Sequence, residues 1–156
     1  MDGRLLQLRF RTGLWLAARI MPVRVRGRDL KPLLADYEPG DDRSFRGLEA
    51  AHVIEAVRRS TRHPWTMRDR RCLRQGLLAY RYLTRAGFRP ALHFGVDRKS
   101  LADPRVRAHC WIVLDGKVVL NPPSENMVTV LVYDGPRSLA GARLPALDTV
   151  ADRSPA

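Results

Sequence analysis

Cys72 stands where a helical pattern begins, behind Arg68, Arg70 and Arg71 and ahead of Arg74. A thiol at a helix N-terminus feels the positive end of the macrodipole, and adjacent cations add to that field, so this setting favours the thiolate. A thiolate attacks carbonyl carbon far better than a thiol does. The same helix end carries backbone N–H groups without helical acceptors, which could hold an oxyanion near the sulfur. A small buried cysteine packing the start of a helix would have the same sequence. A neighbouring base separates the two readings.

Four histidines could supply that base. His52 lies within a helical stretch and His63 directly precedes Pro64 in a loop, so both read as surface residues. His93 and His109 lie on extended segments, His109 in Ala108-His109-Cys110-Trp111, and either could face the start of the Cys72 helix. A third group must hold the imidazole. Asp115 is six residues from His109, roughly 20 Å along an extended strand, and is too far to do so.

Asn121, on the returning strand, is near enough, and its side depends on the turn. An ideal two-residue turn at Asp115-Gly116 pairs 114 with 117 and points Asn121 to the face opposite His109. A three-residue loop Leu114-Asp115-Gly116, with a bulge and Gly116 left-handed, pairs 113 with 117 and 109 with 121. In that register an Asn side-chain carbonyl can accept the imidazole Nδ1–H and leave Nε2 for the thiol. Asn121 also precedes Pro122-Pro123, where an Asn can simply end a strand.

The elements that must position these groups are legible in the periodicity. Leu5, Leu8, Leu16 and Ile20, with Phe10 and Leu14 near the same face, predict an amphipathic helix ending before Pro22. Residues 22–44 read as a loop-rich connector with a short helical piece near 30–35. A second helix is expected over 45–59, followed by a break at His63-Pro64. The third spans about 71–86, with Leu73, Leu77, Tyr80 and Leu83 on one face and Gly87 where a C-terminal cap belongs. Short β-branched runs follow at 91–96, 109–114, 117–121 and 128–133. Helices first and then a mostly antiparallel sheet is an α+β domain. The expected organisation is a helical region over 1–60, a catalytic core over 61–135 and a flexible tail over 136–156.

The chain has 156 residues, enough for one domain with a genuine core. Its 45% hydrophobic content excludes a wholly disordered basic protein, and scattered glycine and proline exclude collagen-like and repeat classes. The formal charge is +12, carried by 25 Arg and only 3 Lys, a ratio that reads as much like codon usage as function. Twelve basic and three acidic side chains fall between 61 and 107, so nearly all the excess surrounds Cys72. Two cysteines are too few for the disulfide framework of a small secreted protein, and free thiols point to the cytoplasm. Arg9, Arg11 and Arg19 interrupt the first helix well short of the ~20 residues a membrane span needs, leaving at most surface contact.

Arg71-Cys72-Leu73-Arg74 opening a helix, Ala86-Gly87-Phe88 closing it, Phe94-Gly95-Val96, Ala108-His109-Cys110-Trp111 and the run from Leu114-Asp115-Gly116 to Asn121 together resemble the transglutaminase-like cysteine peptidases of lasso-peptide biosynthesis. The resemblance spans roughly residues 60–125. It implies a papain-like or transglutaminase-like fold in which Cys72 is the nucleophile, His109 the base and position 121 the orienter. The family usually has Asp where this chain has Asn121. An Asn still orients imidazole but brings no full negative charge to the imidazolium, so Glu125 and Asn126 stand as substitutes. Cys110, where many relatives carry Ala, is expected to point away from His109 by strand alternation and to be structural.

In that family the peptidase removes the leader from a ribosomally made precursor. The chain resembles the stand-alone form, because residues 1–60 lack the three strands of a winged-helix leader-binding domain. This implies three associates: the precursor peptide as substrate, a separate leader-binding protein, and a downstream macrolactam-forming cyclase. No cofactor and no metal are implied. An acyltransferase would use the same triad and pass the thioester to an amine. The charge also permits nucleic-acid binding, though without a recognised motif. A zinc site from Cys72, Cys110, His93 and His109 lacks the short ligand spacings of structural zinc.

Overall fold

The computed structural model describes residues 3–62, 70–104 and 106–139. Within them four α-helices precede a four-stranded sheet: α1 (Gly3–Val25), α2 (Leu30–Tyr37), α3 (Ala50–Ser60) and α4 (Arg71–Arg85), then β1 (Ala91–Asp97), β2 (Ala108–Leu114), β3 (Lys117–Leu120) and β4 (Met127–Tyr133). The sheet runs β3-β2-β1-β4, and all three pairings are antiparallel. This is the α+β arrangement expected from the change of period after Gly87. The His63-Pro64 break and the tail beyond residue 139 lie outside the described residues. Residues 136–139 form a single 3₁₀ turn.

Helix α4 is the axis of the molecule. Leu73, Leu77, Leu78, Ala79, Tyr80, Tyr82 and Leu83 are all buried, so it is apolar around most of its circumference. The other three helices pack around it, and β2 and β1 lie against its remaining side. Gly87, at φ 98°, ends it: the Gly87 N–H donates to the Thr84 carbonyl and the Phe88 N–H to the Leu83 carbonyl. A left-handed residue closing the last turn in this way is the role expected of that glycine.

Two helix readings change. Helix α1 does not stop before Pro22 but runs on to Val25, and it buries Phe10, Leu14, Ala18, Met21 and Val25. An internal proline costs about 3 kcal/mol or more, and complete burial of Met21 and Val25 on either side of it offsets that cost. Of the residues expected on the inward stripe, Phe10 and Leu14 are buried, whereas Leu5, Leu8, Leu16 and Ile20 are exposed. The helix is apolar on two sides, and only one of them meets the core. Helix α3 begins at Ala50 rather than 45, since Gly47 takes φ 99° and the residue before the helix, Glu49, is extended. Phe45 and Leu48 are buried all the same, in the turn that leads into it.

A polar clamp crosses the core. Tyr80 on α4 and Tyr133 on β4 both donate their hydroxyls to Glu38 Oε2, at 2.7 and 2.9 Å. Burial first, and then the carboxylate, push both phenols above their ordinary values. Glu38 closes α2, so one side chain ties α2, α4 and β4 together. Glu38→Ala strips two buried phenols of their acceptor and is expected to lower unfolding free energy by about 2 kcal/mol. Glu55→Ala removes only an exposed pair with Arg59 and is expected to leave the urea midpoint nearly unchanged. Urea unfolding followed by circular dichroism measures both.

Candidate active site

Cys72 is the second residue of α4. Arg70, just before the helix, sits at φ 54°, a left-handed conformation uncommon for a residue with a side chain. The chain thus turns sharply into α4, and Cys72 is presented at the helix end.

Glycine at 76, one helical turn after Cys72, sets how close α4 lies to the sheet. A Cβ there would stand 2.8 Å from Leu92 Cδ1 on β1 and 3.2 Å from Cys110 Sγ on β2. Glycine inside a helix costs roughly 0.5–1 kcal/mol relative to alanine. Here that cost admits the Cys110 sulfur to the Cys72 face of the helix.

Strand alternation places Cys110 opposite to His109, as expected. Cys110 is buried as a packing residue would be, and its thiol is also the first cause of the lowered Cys72 value. Cys110 is 1% exposed, and burial is the main reason that its own thiol stays protonated. A protonated thiol beside a second sulfur is a donor to it.

His109 is the second residue of β2, near the strand end, and lines the same cleft as Cys72. Its Nε2 lies 3.1 Å from the backbone carbonyl oxygen of Asn121. Nδ1 is therefore the nitrogen left for sulfur, the reverse of the tautomer expected from the sequence. The ring stacks beside Trp111 at 6.2 Å between centroids, and His93 lies on the same indole at 5.6 Å. Gly95, opposite His109 in the β1–β2 register, leaves the space that the indole fills: a Cβ there would be 2.9 Å from Trp111 Cη2.

The third position is filled differently from expectation. The hairpin has the two-residue turn, with Leu114 paired to Lys117 and left-handed Asp115 and Gly116 between them. The bulge lies further along, where the register shifts between Ile112 and Val113, so that Ile112 pairs with Leu120. Asn121 then takes φ 53° and ends the strand. Its carbonyl, not its amide, faces His109, and its side-chain Nδ2 donates to the Cys72 carbonyl at 3.3 Å. The expected side-chain acceptor is thus replaced by a main-chain one. Glu125 is exposed and the Asn126 carbonyl accepts from the Arg98 N–H; neither is bonded to His109.

Electrostatics follow from these contacts. The Cys72 thiol is held at about 4, far below its ordinary value of 9.0. The Cys110 thiol is the largest cause, with the His109 ring and the Cys110 N–H adding to it against burial. His109 is raised, chiefly by its bond to Cys72 and then by the Asn121 and Pro122 carbonyls, while burial opposes the rise. Both shifts favour a thiolate beside an imidazolium. The arginines expected to hold the thiolate are not among the causes; Arg74 is buried along α4, and Arg68 lies outside the described residues.

The remaining histidines stand apart. His52 is exposed on α3 against Phe10, and burial lowers His93, which packs on Trp111. Among the described residues no three His, Cys, Asp or Glu side chains gather as a metal site would require. No described helix is long and apolar enough to cross a membrane. A cleft of about 550 Å³ opens over Cys72, His109 and Asn121.

Compared with protein families, the chain matches the model of the Transglutaminase-like superfamily over residues 5–132. No curated protein and no solved structure matches significantly.

Two outcomes test the geometry. Cys110→Ala removes the main donor to the thiolate, so the Cys72 value rises and the acidic limb of its iodoacetamide alkylation profile moves to higher pH. An unmoved limb refutes the donor role. Because the main chain of Asn121 meets His109, Asn121→Gly keeps the left-handed backbone and retains the alkylation rate within about threefold. Asn121→Val strains that backbone and loses about tenfold or more.

Proposed function

Since this chain belongs to the transglutaminase-like superfamily, we propose that it is a cysteine peptidase that removes the leader from a ribosomally synthesised lasso-peptide precursor. The observation that carries the enzymatic part is the gathering of Cys72 and His109 on one cleft at the start of α4, with the far nitrogen of the ring held by the Asn121 carbonyl. The motif order around Cys72, His109 and Asn121 supports the substrate part.

The reaction starts from the ion pair. The Cys72 sulfur attacks the carbonyl carbon at the end of the leader, and its lone pair forms the C–S bond as the carbonyl π pair moves to oxygen. Backbone N–H groups at the start of α4, which lack helical acceptors, face the oxyanion. His109 then gives its proton to the departing nitrogen, the C–N bond breaks, and the core peptide leaves with a free amine. Water activated by the now neutral imidazole attacks the thioester, releasing the leader as a carboxylic acid and restoring the Cys72–His109 pair.

The Asn121 carbonyl keeps the ring from rotating as it loses and regains the proton. A neutral carbonyl can accept from Nε2–H in both protonation states of this cycle, so the tautomer is preserved throughout. Such an enzyme works in the cytoplasm beside its precursor, with a separate leader-binding protein delivering the substrate and a macrolactam-forming cyclase consuming the freed amine.

Mass spectrometry of a precursor peptide after incubation with the protein and a leader-binding partner tests this reading. The expected products are leader and core in equal amounts, and Cys72→Ala is expected to abolish them without altering the far-UV circular dichroism spectrum. His109→Ala is expected to slow them by about 10²–10⁴-fold. Incorporation of a labelled amine into the leader in place of its free acid would instead identify an acyltransferase.

A further inference from the structure

The cleft over Cys72 is walled by Arg58, Arg62 and Arg71 as well as the reacting residues. They come from the face of α3, the residue pair after it, and the first turn of α4. Gln75 Nε2 donates to Thr61 Oγ1 at 2.7 Å, a buried bond that ties the end of α3 to α4 and so keeps the three guanidiniums on one rim. Arg58 is held further by an Nη2 bond to the Val119 carbonyl, which uses one of its donors and fixes its position.

Among the described residues, nothing cancels the charge of this rim from within. The ion pairs among the described residues are Arg28–Asp36, Arg59–Glu55, Arg85–Asp42 and Arg107–Asp97, and none uses a cleft arginine. Glu55, the nearest acid on α3, is turned to Arg59. Among the described residues no acidic side chain lines the cleft, and the Cys72–His109 pair adds no net charge. Nor are these arginines the main causes of the lowered Cys72 value, which among the described residues are Cys110 and then His109. Three cations are thus gathered round a nucleophile that does not need them.

We infer that Arg58, Arg62 and Arg71 form a carboxylate-binding rim that selects peptide substrates with Asp or Glu side chains close to the scissile carbonyl. Guanidinium forks match carboxylates with two parallel hydrogen bonds. A cation-lined concavity also raises the local concentration of anionic segments. This rests on the reading of Cys72 as an acyl-attacking nucleophile. A nucleic-acid strand is the less fitting occupant, because among the described residues the cleft wall carries no Trp, Tyr or Phe on which bases could stack.

The test needs no known substrate. Iodoacetate and iodoacetamide differ chiefly in the carboxylate, so the ratio of their rates at Cys72 cancels changes in thiolate population. In the intact protein that ratio is expected to fall about tenfold on replacing Arg58, Arg62 and Arg71 together by Gln. A ratio within twofold of the parent overturns the rim. In case the triple variant does not fold, the parent protein provides a second measurement. Acetylated hexaglutamate amide is expected to protect Cys72 from iodoacetamide, and hexaglutamine amide is not. Equal effects of the two peptides, or stronger protection by an oligothymidylate of the same length, overturn the inference. Absence of precursor cleavage with the ratio effect intact would instead count against the leader-peptidase reading alone.

Discussion

The approach of α4 to β2 at Gly76 is the constraint on which the site depends. A side chain at 76 would have to displace both Leu92 and the Cys110 sulfur, and every hydrogen bond around Cys72 is referred to that separation. Cys110 reaches Cys72 because nothing stands between them at the glycine. His109, its neighbour on β2, comes to the helix end with it. The burial that makes α4 the axis of the core therefore also determines the protonation state of the nucleophile. Packing and chemistry are one arrangement here, since the dominant donor to the thiolate is a buried core residue rather than a surface charge.

The second half of the site depends on how the β2–β3 hairpin ends. A tight turn at Asp115-Gly116 alone would leave Asn121 on the wrong face for His109, as parity requires. The chain resolves this with a register shift beside Val113 and with a left-handed residue at 121. The bulge moves the strand by one residue, and the left-handed turn brings a backbone carbonyl where a side chain was expected. Asn tolerates that backbone better than most residues with a side chain. Its identity at 121 is explained by conformation as much as by hydrogen bonding.

Much of this was legible beforehand, and the exceptions have physical causes. The four strands, the Gly87 cap and α4 follow from period and punctuation, and Cys72 falls at the start of α4 as expected. The buried face of α1 was not legible, because Leu5, Leu8, Leu16 and Ile20 offer as regular a stripe as Phe10, Leu14, Ala18 and Met21. Only tertiary contact chooses between them. The role of Gly76 could have been suspected from a glycine inside an otherwise apolar helix, and that of Gly95 from a glycine inside a strand. The contribution of Cys110 could not, since alternation assigns it to the core and says nothing of what it meets there.

Charge distribution explains why an acidic residue at position 121 would suit this chain poorly. The Asn121 side chain donates to the Cys72 carbonyl, and an ionised carboxylate has no proton to donate. It would set its lone pairs against that carbonyl and its charge inside a cleft whose other ionic groups, among the described residues, are the Cys72–His109 pair and three arginines. Those arginines would then have an internal partner, and any attraction for an external anion would weaken. With the amide, the imidazolium is balanced by the thiolate and by neutral carbonyl dipoles, and the rim keeps its full charge. An amide rather than a carboxylate at position 121 thus leaves the cleft positive.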